Sequence, residues 1–384
     1  MRIDAHDLAD LAALRRDLHA HPELGFAEHR TAGIIAAALR DAGLEVTTGI
    51  GGTGVVGTLR NGPGNGAIGF RADMDALPFA EETGLAYAST TPGVFHGCGH
   101  DGHSATLIGA ARHLARIREF SGTIHFIFQP AEEGQGGADA MVRDGLFDRF
   151  PCDRVFALHN WPDLPLGSAR TRPGPIMAAA DRFDITITGR GGHAAMPHQT
   201  PDAILAAATL IAQLNTIVAR RIPPTESAVL SVTKVAGGDS HNVLPAKVTL
   251  TGTVRTFSGA VQDRIEQSVR AICDGVAHAS ETVIAIDYVR YYPATVNDPA
   301  SAAIALAAAQ AVCDDAGEAP APAFTSEDFA FMLRARPGAY LWLGQRDESH
   351  TAPLHHPAYD FNDAATPIGI AWFAELARRE LPAG

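Results

Sequence analysis

The sequence predicts an α/β protein: a mostly parallel sheet interrupted by an inserted ferredoxin-like β-α-β-β-α-β domain. Helix-like and strand-like segments alternate through the first half, the middle switches to the β-α-β-β-α-β order, and α/β patterning resumes after Tyr292-Pro-Ala-Thr-Val-Asn-Asp-Pro299. A length of 384 residues also exceeds what one hydrophobic core usually serves. The expected bounds are residues 1–180 and 292–384 for the split core and 181–291 for the insert.

Leu8, Leu11, Leu14 and Leu18 recur at helical spacing among charges, predicting a helix over 7–20, and a second follows over 29–43. Strands are expected over Val55–Arg60 and Ala67–Arg71, a helix from His103 through Arg118, and apolar strands over Thr123–Gln129 and Arg154–Leu158. In the insert, Phe183, Ile185 and Ile187 alternate along a strand that starts at Asp181. A helix over Pro201–Ala219, strands over Ala228–Val235 and Lys247–Thr256, a helix over Gly259–Ala279 and a strand over Thr282–Tyr291 complete it. The core then resumes with an Ala-rich helix over 300–315, a strand over Ala339–Leu343 and a helix over Pro367–Glu380.

A formal charge of −13, without any basic run, argues against binding to a phosphate backbone. No stretch approaches the roughly 20 apolar residues of a membrane span, and the N-terminus lacks the apolar core of a signal peptide. Cys98, Cys152, Cys273 and Cys313 are scattered rather than paired in a disulfide framework, so a reducing, cytoplasmic setting is expected. Gly49-Ile-Gly51-Gly-Thr-Gly54 matches a dinucleotide-binding pattern, but strand-like Val55–Arg60 follows it instead of a helix. It reads as a hairpin turn.

The chemistry concentrates in Cys98-Gly-His100-Asp-Gly-His103 and in Glu132-Glu133. A thiolate and an imidazole two residues apart can hold one divalent ion, and a carboxylate from another segment can complete or bridge the site. An adjacent second carboxylate is what metal-assisted hydrolysis needs as a general base. A buried thiol and a solvated acidic loop are the plainer readings. Against them, His96, His100, Asp101 and His103 crowd a Gly-rich segment that reads as unsuited to a core helix, and such polarity is difficult to bury unless something binds it. Asp73 and Asp75, Glu132 and Glu133, and His159 each follow an apolar strand, where ligands of parallel sheets gather.

At these residues the chain resembles the M20 metallopeptidase superfamily, in its amidohydrolase branch of hippurate hydrolases, N-acyl-amino-acid deacylases and plant auxin-conjugate hydrolases. The resemblance runs almost end to end, through RRDLHAHPELGFAEHRTA, FRADMDALP, HGCGHDGHSATLIGAA, FIFQPAEEGQGGA, ALHNWP, GRGGHAAMPH, NVLPAKVTLTGTVRTF, TSEDFAFML and LHHPAYDFND. It implies a metallo-exopeptidase-like catalytic domain, with the insert as a lid or dimerisation domain. It also implies one or two divalent ions, Mn or Zn with Co or Ni as alternatives, held by Cys98, His100, Glu133, His159 and His355. Cys98 is then a bridging ligand rather than a nucleophile, His103 has no ligand role, and Glu132 falls on the general-base position. His193 matches a lid histidine that reaches the partner subunit's site, and Asn242 and Arg255 match substrate-contacting lid positions. Asp75 matches the acid that orients a ligand imidazole, although Asp73 stands where the superfamily usually has that histidine. Thr325-Ser326 replaces a common Gly-Ser.

The implied reaction is hydrolysis of a small N-acyl amino acid, hippurate-like or N-acetyl, by metal-activated water, in a homodimer formed through the lid or a tetramer. A dipeptidase or aminopeptidase would use the same metal chemistry. A non-catalytic binding protein would not need the spare base at Glu132.

Overall fold

The computed structural model describes residues 4–383; residues 1–3 and 384 of the expected core segments lie outside the described residues. The chain divides into two compact units. One comprises the residues up to Ile176, Val296–Ala321 and the chain from Asp328 onward; the other comprises Met177–Thr295 with Pro322–Glu327.

The first unit is built on β1 (Glu45–Ile50), β2 (Gly54–Asn61), β3 (Ala67–Asp73), β4 (Gly122–Gln129), β5 (Arg154–Pro165) and β6 (Ser168–Thr171), joined by the later strands Gly338–Arg346 and Asp315–Glu318. Across the sheet the order is β1, β2, β4, β3, β5, Gly338–Arg346, β6, Asp315–Glu318. The centre is parallel, β4 with β3, β3 with β5, and β5 with Gly338–Arg346. Ile68, Phe70, Ile124, Phe126, Phe128, Val155 and Phe156 are all buried, because strands covered on both faces need near-continuous apolar runs. The Gly49–Gly54 segment is the turn between antiparallel β1 and β2, with Ile50 opposite Gly54.

Three segments differ from expectation. The Gly-rich run after Cys98 is helical: α1 spans Ala5–Ala20, α2 His29–Asp41, and α3 His100–Ile117, which is buried from His100 through Ala111. Glycine is what permits this. A Cβ at Gly102 would lie 2.3 Å from the Phe361 ring, and one at Gly109 2.5 Å from Ile370, so the helix packs closer than side chains allow. The Ala-rich helix covers only Pro299–Gln310, after which the chain adds the edge strand Asp315–Glu318. The Pro201–Ala219 helix is broken at Asn215, whose side-chain amide donates to the Ile211 carbonyl (2.8 Å), giving Ala203–Leu214 and Thr216–Arg221.

The second unit carries an antiparallel sheet in the order Ala228–Ala236, Lys247–Thr256, Ala179–Thr188, Val283–Tyr292. With the helices Ala203–Leu214 and Gly259–Ser280 this is the ferredoxin-like topology. Phe183, Ile185, Ile187, Leu210, Ile265 and Val269 form its core.

A buried ion cluster fastens α1 to the start of α3. His19 Nδ1 lies 2.8 Å from Asp101 Oδ2 and its Nε2 3.3 Å from Glu81, while Arg15 bonds Asp360 and Asp363. Burial lowers the His19 pKa, but the hydrogen bonds to Asp101 and Glu81 outweigh it and raise the value to about 9. A raised folded-state pKa stabilises fully below the unfolded value and is lost as pH climbs through the folded one. Thermal denaturation should therefore show stability falling between pH 6.5 and about 9, and His19→Gln should lower stability at pH 6.5 and flatten that fall. Equal slopes for the two proteins would contradict this role.

Candidate metal centre

Five side chains expected as ligands converge within the first unit. Cys98 Sγ lies 3.5 Å from His159 Nε2, His355 Nε2 lies 3.3 Å from Glu133 Oε1, and His100 Nε2 lies 3.9 Å from the same Glu133 oxygen. The donor atoms of Cys98, Glu133 and His355 all lie within 4.8 Å of one another, as do those of His100, Glu132 and Glu133. His356, the neighbour of His355, is exposed and instead accepts from the Ala358 N–H.

Local backbone makes the convergence possible. Gly99 has φ +90°, and a Cβ there would come within 2.5 Å of both Asn160 Oδ1 and the Tyr359 hydroxyl. Only glycine fits between Cys98 and His100. His355 has φ +63°, an uncommon left-handed conformation for a side chain of its kind, and its N–H is bonded to the Gly97 carbonyl at 2.8 Å. That bond ties the C-terminal ligand to the Cys98 loop. His159 lies within β5 rather than at a strand end, because Gly338–Arg346 pairs alongside it at Trp342 and continues to Gly344 opposite Trp161.

The two buried imidazoles are held in the same way. His100 directs Nδ1 to the Asp75 carbonyl (2.9 Å) and carboxylate (3.2 Å), leaving Nε2 buried without a hydrogen-bond partner. His159 directs Nδ1 to the Asn160 carbonyl (2.7 Å), so its Nε2 faces Cys98. Fixing one ring nitrogen in this way presents the other's lone pair. Asp75 also accepts from the Glu133 N–H (3.0 Å), so one carboxylate aligns two ligands. Asp75 thus orients His100, while Asp73 lies 3.7 Å from His100 Nε2. His103 sits close by, yet both of its nitrogens are committed, Nδ1 to Asp73 and Nε2 to Asn160, so it braces the site.

The electrostatics ask for a cation. Burial pushes the Cys98 thiol well up, and Glu133, Glu132 and Asp73 push it further, which is the opposite of an activated nucleophile. Burial disfavours charge on His100, but Asp73, Asp75 and Glu133 overcome it and raise its pKa to about 10. Burial and the neighbouring His103 hold His159 well below the usual imidazole range. Glu133 Oε1 is buried without a hydrogen-bond partner, facing His100 Nε2. Two buried polar atoms without a hydrogen bond, His100 Nε2 at 3.7 Å from Asp73 and Glu133 Oε1 at 3.3 Å from His355 Nε2, beside a thiol that a cation would ionise, fit a divalent metal.

The remaining predicted residues lie in the second unit. His193 is exposed in the short strand Gly192–His193, opposite Val243, and the Ala194 N–H donates to the Asn242 carbonyl (3.1 Å), so His193 and Asn242 are neighbours. His193 Nδ1 accepts from the Ala195 N–H at 3.1 Å. Arg255 is not with them. It lies at the far end of Lys247–Thr256, opposite Ala180, half-buried and bonded to Thr253 and the Val254 carbonyl. Two supports were not singled out from sequence as part of the site: Asn160, adjacent to His159 in ALHNWP, and Tyr359, within LHHPAYDFND.

Comparison with known proteins identifies the family and the fold. A model described as peptidase family M20/M25/M40 matches residues 69–379. Hippurate hydrolase of Campylobacter jejuni is 39% identical over 376 residues, covering 96% of each chain. N-acetyl-L-cysteine deacetylase of Bacillus subtilis is 38% identical, covering 97% of this chain and 88% of that one. A Bacillus subtilis crystal structure described as a dinuclear metal binding peptidase from the M20 family superposes with a TM-score of 0.85 at 34% identity, covering 98% of this chain and 99% of that one.

Replacing Asp75 by Asn should leave the fold intact and weaken metal binding by about 10- to 100-fold, the usual effect of removing a partner that aligns a ligand. Cys98→Ser should show its first defect in metal loading. Competition with a chelator measures both; wild-type affinity in either variant would contradict the assignment.

Proposed function

We propose that this chain, which belongs to peptidase family M20/M25/M40 and is a metal-dependent amidohydrolase, cleaves N-acyl amino acids to a carboxylate and a free amino acid. The observation that carries this reading is Glu132, a buried carboxylate grouped with His100 and Glu133 yet additional to the five-ligand set. Cys98, His100, Glu133, His159 and His355 would hold one or two divalent ions, with Mn or Zn the favoured metals and Co or Ni also compatible with the mixed donors. When bound, such ions lower the pKa of a water to about 7 and polarise an amide carbonyl. Glu132 takes the proton of the attacking water and returns it to the leaving amine nitrogen. His193 donates to the developing oxyanion, Asn242 contacts the substrate, and Arg255 pairs with its carboxylate. The relatives named for hippurate and N-acetyl-L-cysteine support an acyl-amino-acid substrate.

The placement of the second unit's residues supports a homodimer. From Lys247, at the His193 end of its strand, to Arg255 is eight residues, roughly 27 Å at 3.4 Å per residue. Such a span exceeds the length of an amino-acid-sized substrate, which is in keeping with His193 of one protomer serving the other protomer's site. The scattered placement of the four cysteines along the sequence favours a reducing, cytoplasmic setting, and among the described residues no helix is long and apolar enough to cross a membrane.

Turnover of N-benzoyl and N-acetyl amino acids by metal-loaded protein, with dipeptides as control, tests the substrate class; activity confined to dipeptides would refute it. Glu132→Gln should keep metal and fold and lose at least about 100-fold in kcat. Mixing Glu132→Gln with His193→Ala protomers should recover partial activity. No recovery after demonstrated subunit exchange would overturn the role of His193 across the dimer.

A further inference from the structure

The turn that carries Glu132 is constrained from both sides. Ala131 has φ +52°, a conformation that residues with a side chain rarely adopt, and a Cβ at Gly137 would meet the Pro130 carbonyl at 1.7 Å, so the following loop folds tightly back on the turn. On one side, Glu28 Oε1 accepts from the Ala131 N–H (2.8 Å), while its other oxygen accepts from the Thr53 hydroxyl (2.5 Å). On the other side stands Asp328. Its backbone N–H donates to Glu132 Oε1 at 3.3 Å. Its carboxylate takes Arg71 Nη2 (3.1 Å) and Gln129 Nε2 (2.7 Å) on Oδ1, and the Ala138 N–H (2.9 Å) on Oδ2. Asp328, Arg71 and Gln129 are at most 1% exposed.

We infer that Asp328 is a positioning residue for the general base: three donors lock its carboxylate, and that lock reaches Glu132 through the N–H of the same residue. Arg71 extends the lock to the metal-binding side. It also donates to Asp73 (2.8 Å), whose other oxygen holds His103, so a single guanidinium spans the two halves of the site. A base that must move a proton between water and a departing amine needs its oxygen placed to a fraction of an ångström. A misplacement of about 1 Å can cost about 100-fold in rate. The inference rests on Glu132 being the base.

The test is a double-mutant cycle in the metal-loaded enzyme. Asp328→Asn keeps volume and the backbone N–H, but it sets an amide donor among groups that themselves donate. It should lower kcat by about 10- to 100-fold, leaving KM and metal content at wild-type values. In a Glu132→Gln background the same change should alter the residual rate by less than twofold, because the group it positions is already disabled. Near-wild-type kcat, the same fold-loss in both backgrounds, or lost metal would each overturn the inference. Gln129→Glu keeps the acceptor for Arg71 Nε (2.7 Å) but removes the amide that donates to Asp328 and the Pro130 carbonyl, so it serves if Asp328→Asn does not fold. It should lower kcat by at least about three- to tenfold, the worth of one lost hydrogen bond to Asp328, again only when Glu132 is present; unchanged kcat would overturn the inference. A Glu132→Gln enzyme with wild-type turnover would instead refute the base assignment, and the two failures are thereby distinct.

Discussion

Negative charge gathered where little water reaches is the constraint that the rest of the site answers. Asp73 and Asp75 are at most 1% exposed and Glu132 is 7% exposed; with Glu133 they face the Cys98–His100 segment. Isolated carboxylates at such depth are costly unless paired. The protein supplies Arg71 and a proton on His100, whose pKa is lifted to about 10 by its carboxylate neighbours against the opposing effect of burial. The Cys98 thiol keeps its proton because burial disfavours the thiolate and the nearby carboxylates add to that effect. A divalent cation changes both at once, replacing the protons and making thiol and imidazole into ligands.

The scaffold's work is to hold that charge in place against its own repulsion. Parallel β3, β4 and β5 bring Asp73, Gln129 and His159 alongside one another, although they are far apart in the chain. Glycine at 99 and 102 lets α3 start directly beneath them. The imidazoles are held from behind by Asp75 and by the Asn160 carbonyl. Partners of this kind fix which ring nitrogen would face an ion.

What was legible in the sequence was local. The Cys98-Gly-His100 run, the Glu132-Glu133 pair and the βαββαβ order could be read because spacing and apolar runs carry them over short distances, whereas the full ligand set, with His355 far along the chain, came from the family resemblance. What was hidden depends on contacts made far along the chain. A Gly-rich polar run looked unsuited to a buried helix because Phe361 and Ile370, which fill its glycine notches, lie more than 250 residues away. Asp328 lies 196 residues from Glu132, so TSEDFAFML showed an acid without showing what it holds. The Ala-rich run beyond Gln310 continued a helical pattern, and only pairing with β6 turns residues 315–318 into a strand. His103 looked equivalent to His100 by type and spacing. Its commitment to Asp73 and Asn160 sets it apart, and neither partner is near it in sequence.

The central claim is that buried negative charge and the Cys98–His100–Glu133–His159–His355 set form one metal site. The most direct measurement is an anomalous-scattering map from crystals of zinc- or manganese-loaded protein. The account predicts one or two peaks among these five side chains, with zinc about 2.3 Å from Cys98 Sγ and about 2.0–2.1 Å from imidazole nitrogens. A fully loaded protein whose peaks lie elsewhere, or whose Cys98 Sγ touches no ion, would contradict it.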